Sequence, residues 1–462
     1  MTPNRLALSA LGRRTDAPPI SWLMKAALAR PQLISLAAGF TDPATLPVAE
    51  TRRLVRKVLA SASTGRAALQ YGSTAGHDRL RQLTADRLRR LDGSPPAAPY
   101  APQRVVITHG SQQLLYLATE ALCDPGDIVL VEDPTYFVYL GILQSHGVQA
   151  HGVRLERDGL DLAHLETVLS RLKRQGQLPR VKLLYVVSYH QNPTGTTTSS
   201  EKKRGALRLL RQFEGAGGHP IYVLEDAAYR ELSFRGQPPP SALAVRGAAS
   251  RVLYSGTYSK PFATGVRVGF GLLPEPVRTA VLRIKGNHDF GTCHLPQHLL
   301  AAALESGVYD RHLHVLHRRY ARKAQIMRQA LAQAFPPEAE CRAPEGGLYF
   351  WVRLPPRMRS GMTSRLFKAA LAHEVLYVPG QLCYAPDPDR RRPDHEMRLS
   401  FGAASEREIT EGVARLGSVL REELGARRRP SQTGGTRGAA QGPQLSLVAR
   451  RLEPTHPRQS RP

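Results

Sequence analysis

The sequence predicts an α/β fold: a mostly parallel central sheet with helices on both faces, joined to a smaller α+β part. Two observations carry this. From Arg104 to Leu273, short apolar runs alternate with longer segments of helical periodicity, as in strands linked by crossover helices. After about residue 275 the order changes to long helical stretches followed by separate short strands. A chain of 462 residues is long enough for two domains.

In order, a polar entry leads into a short helix, Ile20 to Ala29, ended by Pro31. An apolar strand from Leu33 runs into a Gly/Pro turn before Pro47, and helix Val48 to Leu59 follows. Leu69 to Gly76 reads as a loop with a lone aromatic, Tyr71, ahead of helix His77 to Leu91. The regular alternation then begins: strand Arg104–Thr108 and helix Ser111–Cys123, strand Ile128–Val131 and a helix ending near Gly147, strand Val148–Leu155 and helix Leu162–Gln175, strand Val181–Val187 and helix Ser199–Glu214. Strands Ile221–Leu224, Arg251–Tyr254 and Val266–Leu273 complete it. Helices are expected at Pro276–Lys285, Pro296–Ser306, Arg311–Phe335, Ser364–His373 and Ser405–Leu424, with strands at Gly347–Leu354, Leu376–Val378 and Met397–Phe401 among them. The expected division is a segment 1–47 packing with the small domain, a large domain 48–275, a small domain 276–424, and a disordered basic tail 425–462. The tail holds eight arginines and one glutamate and almost no apolar clustering.

Composition narrows the function classes. Hydrophobic residues make up 42%, ordinary for a globular protein, and no apolar run approaches the ~20 residues of a membrane helix. No signal peptide is read at the N-terminus. Four scattered cysteines without a CxxC pair fit free thiols in a cytoplasmic protein. The net charge of +26 invites a nucleic-acid partner. Against that, 54 of the 64 basic residues are arginines, spread along the whole chain, which reads as compositional bias rather than a binding face. His312, His314 and His317 do not read as a metal site, because 312 and 314 point ~200° apart on a helix. They read as a solvated basic face.

The chemistry gathers at strand ends, where α/β sheets bind ligands. Lys260 stands between two apolar strands, among small and hydroxyl residues, with Thr257 and Ser259 before it and Arg267 after it. A lysine deprived of solvent loses its proton more readily and becomes a nucleophile suited to Schiff-base chemistry with an aldehyde. The hydroxyls and the guanidinium suit a phosphate. Gly110-Ser111-Gln112 opens a helix, whose N–H groups bind phosphate, although Ser111 would also serve as an ordinary cap. Tyr136 in Asp-Pro-Thr-Tyr could stack on a flat ring, or fill the core. Asn192 in Asn-Pro-Thr-Gly could donate to a phenolate oxygen, or simply turn the chain. Asp226, with Tyr229 three residues on, is a carboxylate needing a cation, such as a protonated pyridine nitrogen, if it is buried. Arg398, on an apolar strand, needs an anion, and an α-carboxylate is a bidentate match. Singly, each has a structural explanation. Jointly, in this order, with 34 residues from Asn192 to Asp226 and 34 more to Lys260, they do not arise easily by chance.

From about Leu33 to Leu424 the chain resembles the fold-type I, pyridoxal-phosphate-dependent class I/II aminotransferases, most of all the branch of 2-aminoadipate and kynurenine aminotransferases and MocR-type aminotransferase domains. The resemblance implies that Lys260 joins the cofactor and shuttles the proton, that Asp226 pairs with the pyridine nitrogen, and that Asn192 and Tyr229 contact the ring oxygen. It implies that Tyr136 stacks on the ring and that Ser111, Gln112, Thr257, Ser259 and Arg267 hold the phosphate. Tyr71 would reach the phosphate of a neighbouring subunit, making a homodimer, and Gly39 and Arg398 would bind the substrate's amino-acid end. The chain departs from relatives in having Thr264-Gly265 where Pro-Gly is common, and its N-terminal segment matches only loosely.

Three functions compete. The leading one is an aminotransferase moving an amino group from an aromatic, aliphatic or 2-aminoadipate-like amino acid to 2-oxoglutarate. Another is a β-lyase or decarboxylase on the same scaffold. The third, a MocR-like regulator, is disfavoured because only some thirty residues precede Leu33. A distal substrate carboxylate would need its own cation, and Arg14, with Arg13, is the candidate, just before a helix expected to close over the site.

Overall fold

The structure is a computed structural model that describes residues 7–387 and 391–428. Its strands, in chain order, are β1 (Ile34–Ser35), β2 (Val105–His109), β3 (Ile128–Asp133), β4 (Gln149–Glu156), β5 (Gly159–Leu160), β6 (Val181–Val187), β7 (Tyr222–Asp226), β8 (Val252–Thr257), β9 (Val268–Leu272), β10 (Glu340–Arg342), β11 (Tyr349–Arg353), β12 (Val375–Leu376), β13 (Val378–Pro379) and β14 (Glu396–Ser400).

Eight of them form the central sheet, in the order β2-β9-β8-β7-β6-β3-β4-β5. The pairs β3–β4, β3–β6, β6–β7 and β7–β8 are parallel, while β9 runs antiparallel to both β2 and β8. Strand β2 therefore points the same way as β8, and six strands, β2, β3, β4, β6, β7 and β8, deliver their carboxyl ends to one edge. Because β9 is reversed, its beginning lies at that edge too.

The strands read as continuous apolar runs because both faces are covered. Along β6, Leu183, Tyr185 and Val187 enter one hydrophobic cluster, and Leu184 and Val186 enter the other. Val129 and Val131 of β3 separate from Ile128 and Leu130 in the same way. A second, antiparallel sheet, β10-β11-β14-β13, lies among the later helices, and the long helix Val308–Ala334 packs against Glu406–Arg428. The N-terminal segment joins this part: β1 pairs in parallel with β12. No helix of the described residues is long and apolar enough to cross a membrane.

Four details depart from the sequence expectations. A helix, Ala62–Leu69, precedes the Tyr71 loop; Ser61 and Thr64 close a capping box at its start, a signal obscured by its short Ala/Ser-rich sequence. The strand expected at Val266–Leu273 begins only at Val268, because Thr264–Val266 make a helical turn and Arg267 takes the left-handed conformation, φ 51°. The last helix continues past Leu424 to Arg428, and the tail from residue 429 lies outside the described residues. His312 is buried and donates to the Phe262 carbonyl at 3.2 Å, and His317 donates to the Glu231 carbonyl at 2.7 Å, so only His314 of that trio stands on a solvated face.

Candidate active site

A pocket lies at the edge where these strands end. It is lined, among others, by Gly39, Ser111, Gln112, Tyr136, Asn192, Asp226, Tyr229, Thr257, Ser259, Lys260, Arg267 and Arg398. Residues from seven separate stretches of sequence thus meet in one cavity.

Lys260 follows β8 through a tight turn in which the Ser259 N–H donates to Thr257 Oγ1 at 3.1 Å. Its Nζ donates to the Gly39 carbonyl at 2.6 Å. Burial, and then the nearby guanidinium groups of Arg398 and Arg267, push its pKa down to about 8. Asp226 closes β7. Its carboxylate accepts from the Tyr185 hydroxyl at 2.9 Å and from the Ala228 N–H at 3.0 Å. Burial outweighs these bonds and pushes its pKa up to about 6. Among the described residues no cation pairs with it.

Arg398, only 2% exposed on β14, donates from Nη1 to Asn192 Oδ1 at 2.7 Å and from Nη2 to the Ala37 carbonyl at 2.6 Å. Its guanidinium lies 4.3 Å from the centre of the Tyr349 ring, and its Nε–H has no partner among the described residues. A buried cation without a carboxylate suits an incoming anion. With Oδ1 engaged by Arg398, Asn192 is left with its amide N–H groups to donate. Tyr229 and Tyr349 share a hydroxyl–hydroxyl bond of 2.8 Å. Gly39 faces the same tyrosine: a Cβ there would fall 2.5 Å from the Tyr349 hydroxyl.

At the other end of the pocket, the helix Gly110–Leu122 begins directly after β2. The N–H groups of its first turn have no partner within the helix. Gly110 has φ 67°, and a Cβ there would press on the Arg267 guanidinium at 2.9 Å. Gly269 passes so close that its Cβ would fall 2.3 Å from the Ser111 nitrogen. Arg267 donates to Ser259 Oγ at 3.4 Å. Glycines at both contacts let a helix N-terminus, two hydroxyl residues and a guanidinium close on a small anion. At one end, then, is an anion cradle. In the middle are an amine of lowered pKa and a carboxylate lacking a cation, and at the other end a second anion site. This donor set fits pyridoxal phosphate together with an amino-acid carboxylate.

Two expected site residues lie elsewhere. Tyr71 is 82% exposed, edge-on to Phe290 at 5.3 Å, beside a separate cavity that includes Leu69 and His294. Arg14 is not brought to the pocket. Its Nε donates to the Ser145 carbonyl at 2.9 Å, in the last turn of the helix Phe137–His146. The negative end of that helix holds the cation. The sequence reading also missed Tyr349 and Tyr185. Tyr349 reaches the site because it shares a face of β11 with Trp351, the register partner of Arg398, a pairing the sequence does not display. Tyr185 gave no signal, being one of several aromatic or apolar residues in a buried strand. Ile20 and Phe137 also line the pocket.

A family model described as aminotransferase class I and II matches residues 31–416. The 2-aminoadipate transaminase of Thermus thermophilus is 32% identical, over 88% of this chain and 95% of its own. An aromatic-amino-acid aminotransferase of Thermococcus litoralis is 32% identical, over 85% of this chain and 89% of its own. Among solved structures, the Pyrococcus horikoshii kynurenine aminotransferase, crystallised with PMP, superposes with a TM-score of 0.81 at 30% identity, covering 90% of this chain and 98% of its own.

Proposed function

The chain belongs to the class I and II aminotransferases, enzymes that work with pyridoxal phosphate, and from that premise we propose how its residues divide the work and what it transfers. When bound, the cofactor supplies an aldehyde to receive the amino group and a ring to absorb the electrons released at the α-carbon. Ser111, Gln112, Thr257, Ser259 and Arg267 hold the phosphate. Asp226 would keep the ring nitrogen protonated, and that cation would in turn lower the Asp226 carboxyl from the value of about 6 it has without one. Asn192 and Tyr229 would hold the ring oxygen and Tyr136 would stack on the ring. Arg398 and Gly39 seat the α-carboxylate. Lys260 would be the amine that holds the aldehyde and the base that carries the α-proton. With its pKa lowered to about 8, the free amine is accessible near neutral pH, as both tasks require.

The substrate is an aromatic, aliphatic or 2-aminoadipate-like amino acid, and the acceptor is 2-oxoglutarate. The apolar wall of Ile20, Phe40, Phe137 and Val138 supports the first part, as do the names of the relatives. The enzyme acts as a cytoplasmic homodimer, with Tyr71 and its exposed neighbours Leu69 and Phe290 facing the second copy. A large domain, 48–275, bears the cofactor, and a small domain, 276–424, packs with the N-terminal segment.

The single observation that carries this reading is the meeting in one pocket of Lys260, an amine of lowered pKa, Asp226, a buried carboxyl with no cation partner among the described residues, and Arg398, a buried guanidinium whose Nε–H has no partner there. A half-reaction screen tests it. The bound cofactor's absorbance should shift with aromatic, aliphatic or 2-aminoadipate donors and return with 2-oxoglutarate, and borohydride should fix the cofactor to Lys260. Release of carbon dioxide or an eliminated side chain, without amino transfer, would establish a decarboxylase or β-lyase instead.

A further inference from the structure

Glu132 is a buried carboxyl that the proposed chemistry does not use. It stands just past the point where the β3–β6 ladder ends, at Val131 opposite Tyr185. Beyond that point its side chain replaces the backbone ladder: Glu132 Oε2 accepts from the Val187 N–H at 2.9 Å and from Gln191 Nε2 at 2.7 Å. The same Gln191 Nε2 donates to the Pro134 carbonyl at 2.9 Å. The other end of Gln191, Oε1, accepts from the Thr194 N–H at 3.1 Å and its hydroxyl at 2.5 Å. Both residues are 1% exposed.

These bonds join two loops. One follows β3 and carries Tyr136, two residues beyond Pro134. The other follows β6 and carries Asn192, next to Gln191. No backbone ladder connects the loops at this level, so the Glu132–Gln191 pair is what ties them to each other. Burial pushes the Glu132 carboxyl up to about 8, so near neutral pH it is largely an uncharged acid and adds no second negative charge beside Asp226.

We propose that Glu132, acting through Gln191, is a positioning residue that fixes Asn192 and Tyr136 relative to each other across the cofactor ring. The proposal rests on the roles given above to those two residues. A hydrogen bond donated to the ring oxygen draws electron density from it, so a displaced Asn192 leaves the bound group more basic.

The test is a pH titration of the holoenzyme's cofactor absorbance in Glu132→Leu, Gln191→Leu, Glu132→Gln and Asn192→Ala, with kcat and KM measured alongside. Both leucine variants should raise the midpoint by about one to two pH units, the range for one hydrogen bond to a charged group, and should lower kcat more than they raise KM. Glu132→Gln, which keeps a neutral acceptor in place, should restore the wild-type midpoint. Should Glu132→Leu fail to fold, Gln191→Leu carries the test, because it leaves the carboxyl and the Val187 bond intact. An unshifted midpoint in folded Gln191→Leu, with Asn192→Ala shifted, would overturn the positioning role and leave the cofactor reading standing. An unshifted midpoint in Asn192→Ala as well would overturn both.

Discussion

At Asp226, burial and function pull one carboxyl in opposite directions. Without a cation its folded pKa, about 6, lies above the ordinary 3.8. A carboxyl whose pKa is raised on folding contributes stability that is fully present below the unfolded value and is lost as pH rises through the folded one. In the cofactor-free enzyme, Asp226→Asn should therefore gain stability on the wild type as pH rises from about 4 to 6. The two pKa values lie about two units apart, so the difference should reach about 3 kcal/mol, read from melting curves of both proteins across that window. A constant difference across the window would show that the carboxyl is not buried alone. With cofactor bound, the same substitution should cost about 10²–10³-fold in kcat, as when one preorganised electrostatic partner is removed, while the untouched phosphate cradle retains the cofactor. Near-normal half-reaction rates in Asp226→Asn would count against the ion pair. Lys260 shows the mirror case. Its folded pKa, about 8, lies below the usual 10.5, so its contribution is greatest above pH 10.5 and is lost as pH falls to about 8.

At the scale of elements, the sequence was most legible where one residue type at a strand end has few structural uses. Lys260, Asp226, Asn192 and Arg398 could be picked out because polar groups at the ends of apolar strands need partners, and the strand alternation showed where those ends lie. What stayed hidden depends on contacts between distant segments. Tyr185 meets Asp226 across neighbouring strands, and Glu132 meets Gln191 from another strand end; neither pairing is visible without the register. Arg14 shows the converse. A cation near a site suggested a substrate carboxylate, but the carbonyl end of Phe137–His146 was nearer, and the Gln144 side chain donates to the Arg14 carbonyl at 2.5 Å to complete the clasp. Arg14→Ala should accordingly cost about 0.3–1 kcal/mol of stability, as for a cation lost from a helix C-terminus, and leave the KM for 2-oxoglutarate within about twofold. Melting temperature and acceptor kinetics measured on one preparation check both. A rise in acceptor KM of about ten- to a hundred-fold, the cost of a lost charge-assisted pair, would return Arg14 to the substrate.

For the whole molecule, the position of Tyr71 decides whether one chain can hold a complete site. Its ring is 82% exposed, and with Leu69 (70%) and Phe290 (58%) it forms an apolar patch outside the pocket. Exposed aromatics grouped in this way mark an interaction surface. In the proposed two-fold dimer this patch would meet its own copy, so a residue supplied across the interface would serve the neighbour's pocket and never its own. That geometry makes a prediction no monomer shares. Lys260→Ala removes the reactive amine from its own pocket, whereas Tyr71→Ala should impair the opposite one. A Tyr71→Ala homodimer should fold normally, since the ring is exposed, but bind cofactor weakly. Mixed under conditions that exchange subunits, the two inactive variants would place both defects in one pocket and leave the other intact. Random pairing makes half the dimers hybrid, each with one working site of two, so activity should recover to about a quarter of wild type. Hybrids isolated through a different affinity tag on each variant should carry the recovered activity. Should the mixture stay inactive while subunits exchange, Tyr71 would have no role across the interface, and the cradle of Ser111, Gln112, Thr257, Ser259 and Arg267 would have to hold the phosphate unaided.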